Sequence, residues 1–115
     1  MFDYIKLDPH DCTFLGIVPA SELPPGERMF VEVSGKSIVI FNLAGTLYAI
    51  GDICSHDNGP LGDGEIEAYE IVCPRHGARF DIRTGKTLGL PAVVDIPAYP
   101  VRVQAGMVEI GIPKG

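Results

Sequence analysis

A chain of 115 residues, 46% of them hydrophobic and none of them tryptophan, is long enough to bury the core of one domain. Its formal net charge of −6 argues against nucleic acid or an anionic membrane as partner; it suits docking on basic proteins, although acidic surfaces also simply keep proteins soluble. No apolar run approaches the length that spans a bilayer, and the first residues lack a basic region followed by an apolar stretch, so a cytoplasmic protein without a membrane partner is expected. The 14 glycines and 10 prolines punctuate short apolar runs, the texture of an all-β domain rich in turns. Residues 4–7 and 14–18 are two β-prone runs, both expected to start the sheet. Residues 19–27, PASELPPGE, carry too many prolines for a strand, and 21–23 allow at most one helical turn. Residues 29–33 and 36–41 flank Ser34-Gly35 as a hairpin, and 46–50 follow a turn at 42–45. A twisted antiparallel sheet whose alternate side chains make the core is expected from these runs.

At Gly51 the composition changes. Residues 51–72 contain six acids (Asp52, Asp57, Asp63, Glu65, Glu67 and Glu70) and no Lys or Arg, whereas Arg75, Arg79, Arg83 and Lys86 follow. Opposite charge would help the two stretches close on each other, although exposed pairs contribute only about 0–1 kcal/mol each. A calcium loop from Asp57 fails, because Gly59, Leu61 and Ala68 stand where oxygen ligands are needed. Gly59, Gly62 and Gly64 serve as turn formers or permit close backbone approach. Phe80 and Ile82 share one face of a short strand, with Arg79, Asp81 and Arg83 on the other, and Thr84-Gly85-Lys86 makes the next turn. Alternation at Val101 and Val103, then at Val108, Ile110 and Ile112 across Ala105-Gly106, predicts a terminal hairpin that returns to the first sheet.

Within this span lies Cys54-x-His56, then sixteen residues, then Cys73-x-x-His76. Two thiols and two imidazoles in two short clusters fit a tetrahedral zinc or a [2Fe–2S] cluster in which two histidines replace two cysteines on one iron. Zinc modules usually pair Cys with Cys and His with His, whereas here each half carries one of each. The latter arrangement suits Cys54 and Cys73 on one iron and His56 and His76 on the other. Cys12 stands alone and is left unassigned, and a disulfide framework is excluded.

At these residues the chain resembles the Rieske family. The C-x-H and C-x-x-H halves, Gly62, and the run Cys73-Pro74-Arg75-His76-Gly77 match its pattern, and the resemblance extends over residues 13–112. It implies an antiparallel β sandwich in one domain, residues 1–115, with a cluster-binding subdomain over residues 51–92 inserted in a base sheet formed by 13–50 and 93–112. It implies one [2Fe–2S] cluster on Cys54, His56, Cys73 and His76, with Gly59, Gly77, Ala78, Phe80 and Pro91 around it. The high-potential branch of the family has a disulfide at positions that fall here on Gly59 and Arg75, and hydroxyls at positions that fall on Ala78 and Phe80. Loss of those donors predicts a potential near the bottom of the Rieske range, about −150 mV.

The oxidised cluster with this ligand set is neutral and accepts one electron, so the chain is expected to carry single electrons and to have no substrate site of its own. The expected partners are a flavin-containing ferredoxin reductase and a terminal non-haem iron oxygenase, with the carrier a monomer. The alternatives are the small subunit of a nitrite reductase-like enzyme and, in another class, a zinc-stabilised interaction module.

Overall fold

In the computed structural model, which describes residues 9–54, 59–74, 77–89 and 94–113, the chain is organised around one strand, β3 (Lys36–Leu43). Five successive residues of β3, from Ile38 to Asn42, are buried. A strand with one wet face would bury every second residue, so this run means that both faces are covered. Ile38 and Ile40 enter one apolar cluster with Leu23, Val33, Ala49, Tyr99, Val108, Ile110 and Ile112. Val39 and Phe41 enter a second, with Ile50, Leu61, Ile71, Phe80 and Ile82. The expected one-sided alternation is thus replaced by a central sheet between two cores.

That sheet has the order β2-β3-β4-β8, with β2 (Arg28–Val33), β4 (Thr46–Gly51) and the two-residue β8 (Ala98–Tyr99), all antiparallel. On one face lies a sheet of β1 (Cys12–Pro19), β10 (Met107–Pro113) and β9 (Val101–Gln104), ordered β1-β10-β9. On the other lie β5 (Glu65–Glu67), β6 (Glu70–Val72) and β7 (Arg79–Asp81), ordered β5-β6-β7. The antiparallel β architecture expected from the sequence is therefore present. The strands of residues 13–50 and 93–112 divide between two sheets, because β1 leaves the hairpins that follow it and pairs with β10 from Cys12↔Pro113 to Pro19↔Met107. The terminal hairpin accordingly joins β1 and not β2 to β4.

Turn chemistry explains the hairpins. Ser34-Gly35, Ala44-Gly45 and Ala105-Gly106 all have positive φ at both positions, the pattern that matches strand twist in two-residue loops. Residues 20–22 form one 3-10 turn in the connector, as the sequence allowed. Asn42, a buried polar residue, closes its own turn by accepting the Gly45 N–H (2.8 Å) and ties the connector by donating to the Leu23 carbonyl (2.8 Å). The expected inward alternation fails at Val103, which is 51% exposed on the edge strand β9. Cys12 is buried in β1 beside Gly111, where an added Cβ would come within 3.0 Å of its own Cβ. Residues 4–7 lie outside the described residues.

Candidate metal centre

The hairpin β5–β6 is the element that sequence reasoning missed, because residues 51–72 read as one acidic loop. Glu is poor in strands, and three residues per strand give little signal. The alternation Glu65-Ile66-Glu67 and the inward Ile71 were the available clue, since Ile71 is fully buried while Glu65 and Glu67 are exposed. β7 then pairs with β6 through Ile71↔Phe80 and Val72↔Arg79, so Cys73 and Ala78 flank two paired strand ends. Arg79 joins the acidic stretch to the basic one, reaching Glu67 at 2.9 Å and Glu70 at 3.2 Å on the surface.

Both candidate cysteines enter the core between the central sheet and this small sheet. Cys54 is 0% and Cys73 2% exposed, in a cluster with Leu61, Ile71, Ala78, Phe80, Ile82 and Ile96. None of the three cysteines, all of them described, is in a disulfide. The loops that follow Cys54 and Cys73 are closed in the same way. The Cys54 N–H donates to the Gly59 carbonyl (2.8 Å), and the Cys73 N–H donates to the Ala78 carbonyl (2.7 Å). In each case the acceptor lies five residues on, so the same backbone hydrogen bond starts from each buried cysteine. Gly77, at φ +75°, also donates its N–H to the Cys73 carbonyl (3.0 Å), which tightens the second loop.

The remaining expected site residues divide into two groups. Gly59, Gly77 and Ala78 form the hydrogen-bonded closures just described, and Phe80 is a fully buried ring in the cysteine cluster. Neither the Ala78 nor the Phe80 side chain has a hydrogen-bond donor. His56, His76 and Pro91, with Asp57 and Arg75, lie outside the described residues. The turn expected at residues 84–86 begins earlier: Thr84 and Gly85 both donate to the Asp81 carbonyl, and the Asp81 N–H donates to the Lys86 carbonyl. Burial alone would push the Asp81 carboxyl up, but hydrogen bonds from the Arg83 side chain and backbone N–H hold it below the usual carboxylate value.

Two further residues support the first loop and carried no sequence motif. One Asp52 oxygen, Oδ1, accepts the N–H groups of Leu61 (2.9 Å) and Gly62 (2.6 Å). Arg28, from β2, donates through Nη1 to the carbonyls of Gly62 (2.6 Å) and Gly64 (2.8 Å). Gly64 is required here by close approach to backbone, and Gly62 sits close against side chains. A Cβ on Gly62 would come within 2.5 Å of the Phe30 ring, and one on Gly64 would fall on the Val72 carbonyl. Gly62 thus approaches side chains of the scaffold, and Gly64 approaches its backbone. A surface cavity of about 480 Å³ runs from Asp63, Gly64 and Glu65 to Cys73, Pro74 and Gly77, which places carboxylates beside the second loop.

Two thiols withheld from water in an apolar cluster, each beside the same backbone closure and not joined in a disulfide, fit the sulfur half of a [2Fe–2S] ligand set. Comparison with known proteins agrees. The chain is 40% identical over 97 residues (84% of this chain and 91% of the relative) to the ferredoxin subunit of 3-phenylpropionate/cinnamic acid dioxygenase from Escherichia coli K12. It is also 40% identical over 83 residues (72% and 80%) to the ferredoxin component of the naphthalene 1,2-dioxygenase/salicylate 5-hydroxylase systems from Ralstonia sp.. The solved ferredoxin of carbazole 1,9a-dioxygenase from Nocardioides aromaticivorans IC177 superposes with a TM-score of 0.79 at 34% identity, covering 89% of this chain and 99% of that one. The family description Rieske [2Fe-2S] domain matches residues 13–100, and membership implies a [2Fe–2S] cluster in preference to zinc. On its buried cysteines, its antiparallel sheets and these matches, the chain belongs to the Rieske [2Fe-2S] domain family.

Proposed function

We propose that Cys54, His56, Cys73 and His76 hold one [2Fe–2S] cluster, and that the protein is the ferredoxin component of an oxygenase system. It passes single electrons from a flavin reductase to a terminal oxygenase, as a cytoplasmic monomer. The observation that carries this reading is the pair of buried thiols on two loops closed by the same backbone hydrogen bond, in a chain of this family. When bound, the cluster supplies reversible acceptance of one electron. The chain supplies the rest. Phe80, Leu61 and Ile71 keep water from the thiols, and the Cys54 and Cys73 amides are engaged by the Gly59 and Ala78 carbonyls. Gly59, Gly77, Ala78, Phe80 and Pro91 form the immediate surround, and residues 51–92 act as the cluster-binding subdomain on a base of residues 13–50 and 93–112.

Two features support the electron-carrier role with a low potential. The side chains of Ala78 and Phe80 offer no hydrogen bond to sulfur, so the reduced form is less favoured. Asp63 and Glu65 are exposed close to Cys73, which together with the net charge of −6 suits docking on a basic partner. No helix among the described residues is long and apolar enough to cross a membrane.

Voltammetry across neutral pH, with iron, sulfide and zinc analysis of the same sample, tests the reading. Two irons and two sulfides per chain and a low potential that is flat across neutral pH are expected. Stoichiometric zinc with no redox response would sink it. Reduction by NADH through a flavin-dependent ferredoxin reductase, followed by reoxidation by a terminal oxygenase, tests the direction of electron flow.

A further inference from the structure

The two cysteine loops are closed alike at the backbone but are held in place differently. The Cys73 loop joins β6 to β7, whose register places Val72 opposite Arg79, so strand pairing brings its ends together. The Cys54 loop has no such frame. Its entry leaves β4 and its exit leads into the turn Leu61–Gly64, where the Gly64 N–H donates to the Leu61 carbonyl (3.0 Å). No strand pair joins entry to exit among the described residues.

Side chains do this instead. Asp52 sits at the entry, two residues before Cys54, and its backbone N–H donates to the Ser37 carbonyl at the start of β3 (2.9 Å). Its carboxylate reaches across to the exit and takes the Leu61 and Gly62 N–H groups on one oxygen. Arg28 holds the same turn from the opposite polarity, through the carbonyls of Gly62 and Gly64, and its guanidinium lies 5.4 Å from the Phe41 ring centre in the cysteine-bearing core. The Leu61 and Gly62 N–H groups and the Gly62 and Gly64 carbonyls of this turn therefore meet charged partners, and charge-assisted hydrogen bonds are about twice as strong as neutral ones.

We infer that Asp52 and Arg28 are positioning residues for the first cysteine loop: they strap its exit to its entry and to the central sheet, so that Cys54 is placed before any metal binds. The inference rests on the reading of Cys54 and Cys73 as cluster ligands. It assigns the first loop's geometry to two side chains in the way that strand register sets the second.

The test uses the holoprotein and its Asp52→Ala, Asp52→Asn and Arg28→Gln variants. The control is Ile110→Val, which lies in the opposite core and reports general loss of stability. Bleaching of the visible spectrum by an iron chelator gives the rate of cluster loss, and the EPR signal of the reduced protein reports cluster geometry. Asp52→Ala is expected to lose its cluster at least about tenfold faster with a broadened EPR signal, the scale seen when support behind a metal ligand is removed. Asp52→Asn keeps an oxygen at Oδ1 and should stay within about threefold of wild type with its line shape unchanged; Arg28→Gln should fall between the two. A wild-type rate and line shape in Asp52→Ala would overturn the inference, as would cluster loss no faster than in Ile110→Val at equal melting temperature. If Asp52→Ala does not fold, Arg28→Gln decides by the same criteria. A wild-type protein without iron and sulfide would instead defeat the cluster reading itself, and this inference with it.

Discussion

The two faces of the central sheet have the same backbone and opposite purposes. Toward β1, β10 and β9 the core holds Ile38, Ile40, Val108 and Ile110 with Leu23 and Tyr99, and no thiol. Toward β5, β6 and β7 it holds Val39, Phe41, Ile50 and Phe80 together with Cys54 and Cys73. Strand β3 feeds both, sending alternate residues to each side. The first face is closed by long strand pairing, since β1 and β10 run together from end to end. On the second face three-residue strands frame short loops, and single side chains complete the frame. The first face is filled without a cysteine, and the second buries two thiols among its apolar side chains.

The sharpest way to break this comparison is to remove a thiol. Cys54→Ser should abolish the visible spectrum and loosen the β5-β6-β7 side, because metal binding and local folding are coupled. Hydrogen exchange should show lost protection in β5 to β7 with β1 and β10 unchanged; uniform loss across both faces would contradict it. The mirror experiment truncates the opposite core. Ile110→Ala, at a fully buried position, should cost about 2–5 kcal/mol in urea unfolding. Its potential should remain that of wild type, and a shifted potential would mean that the two faces are coupled.

A subtler variant sharpens the second face alone. Ala78→Ser with Phe80→Tyr adds two hydroxyls at fully buried positions of the cysteine cluster and should raise the reduction potential, measured by voltammetry, without altering the spectrum of the oxidised protein. No rise with the cluster intact would remove the missing donors as the cause of a low potential. The smallest effect concerns Asp81 at the end of β7. Its folded pKa lies below the unfolded value of 3.8, so its contribution is fully present above that value and is lost as pH falls through the folded pKa. Asp81→Asn should flatten stability against pH below about pH 4 and leave neutral-pH stability nearly unchanged, as read from chemical denaturation at a series of pH values.

Most of the strands were legible because their signals are local. Ser34-Gly35 and Ala105-Gly106 sit between apolar runs, and positive φ at both positions of each turn confirms why a small residue followed by glycine was chosen. Val103 misled because alternation marks a buried face only where a partner layer covers it, and β9 is an edge strand. The hairpin β5–β6 escaped because its six strand residues include three glutamates, whose placement depends on Arg79 across the surface. Cys54 and Cys73 were legible as candidate ligands because few chemistries use that residue set at that spacing. Asp52 and Arg28 were not, since an acid in an acidic stretch and an arginine at a strand start carry no pattern of their own.

The sequence by itself determined the residue types that can bind iron, the turn positions and the antiparallel β class, because each depends on neighbours within a few positions. Only the tertiary structure decided that β1 pairs with β10, that β3 is covered on both faces, and that Asp52 and Arg28 meet the turn Leu61–Gly64. Those outcomes depend on which layers pack against which. Apolar burial is non-directional, so a run such as 38–41 shows that it must be covered without showing by what.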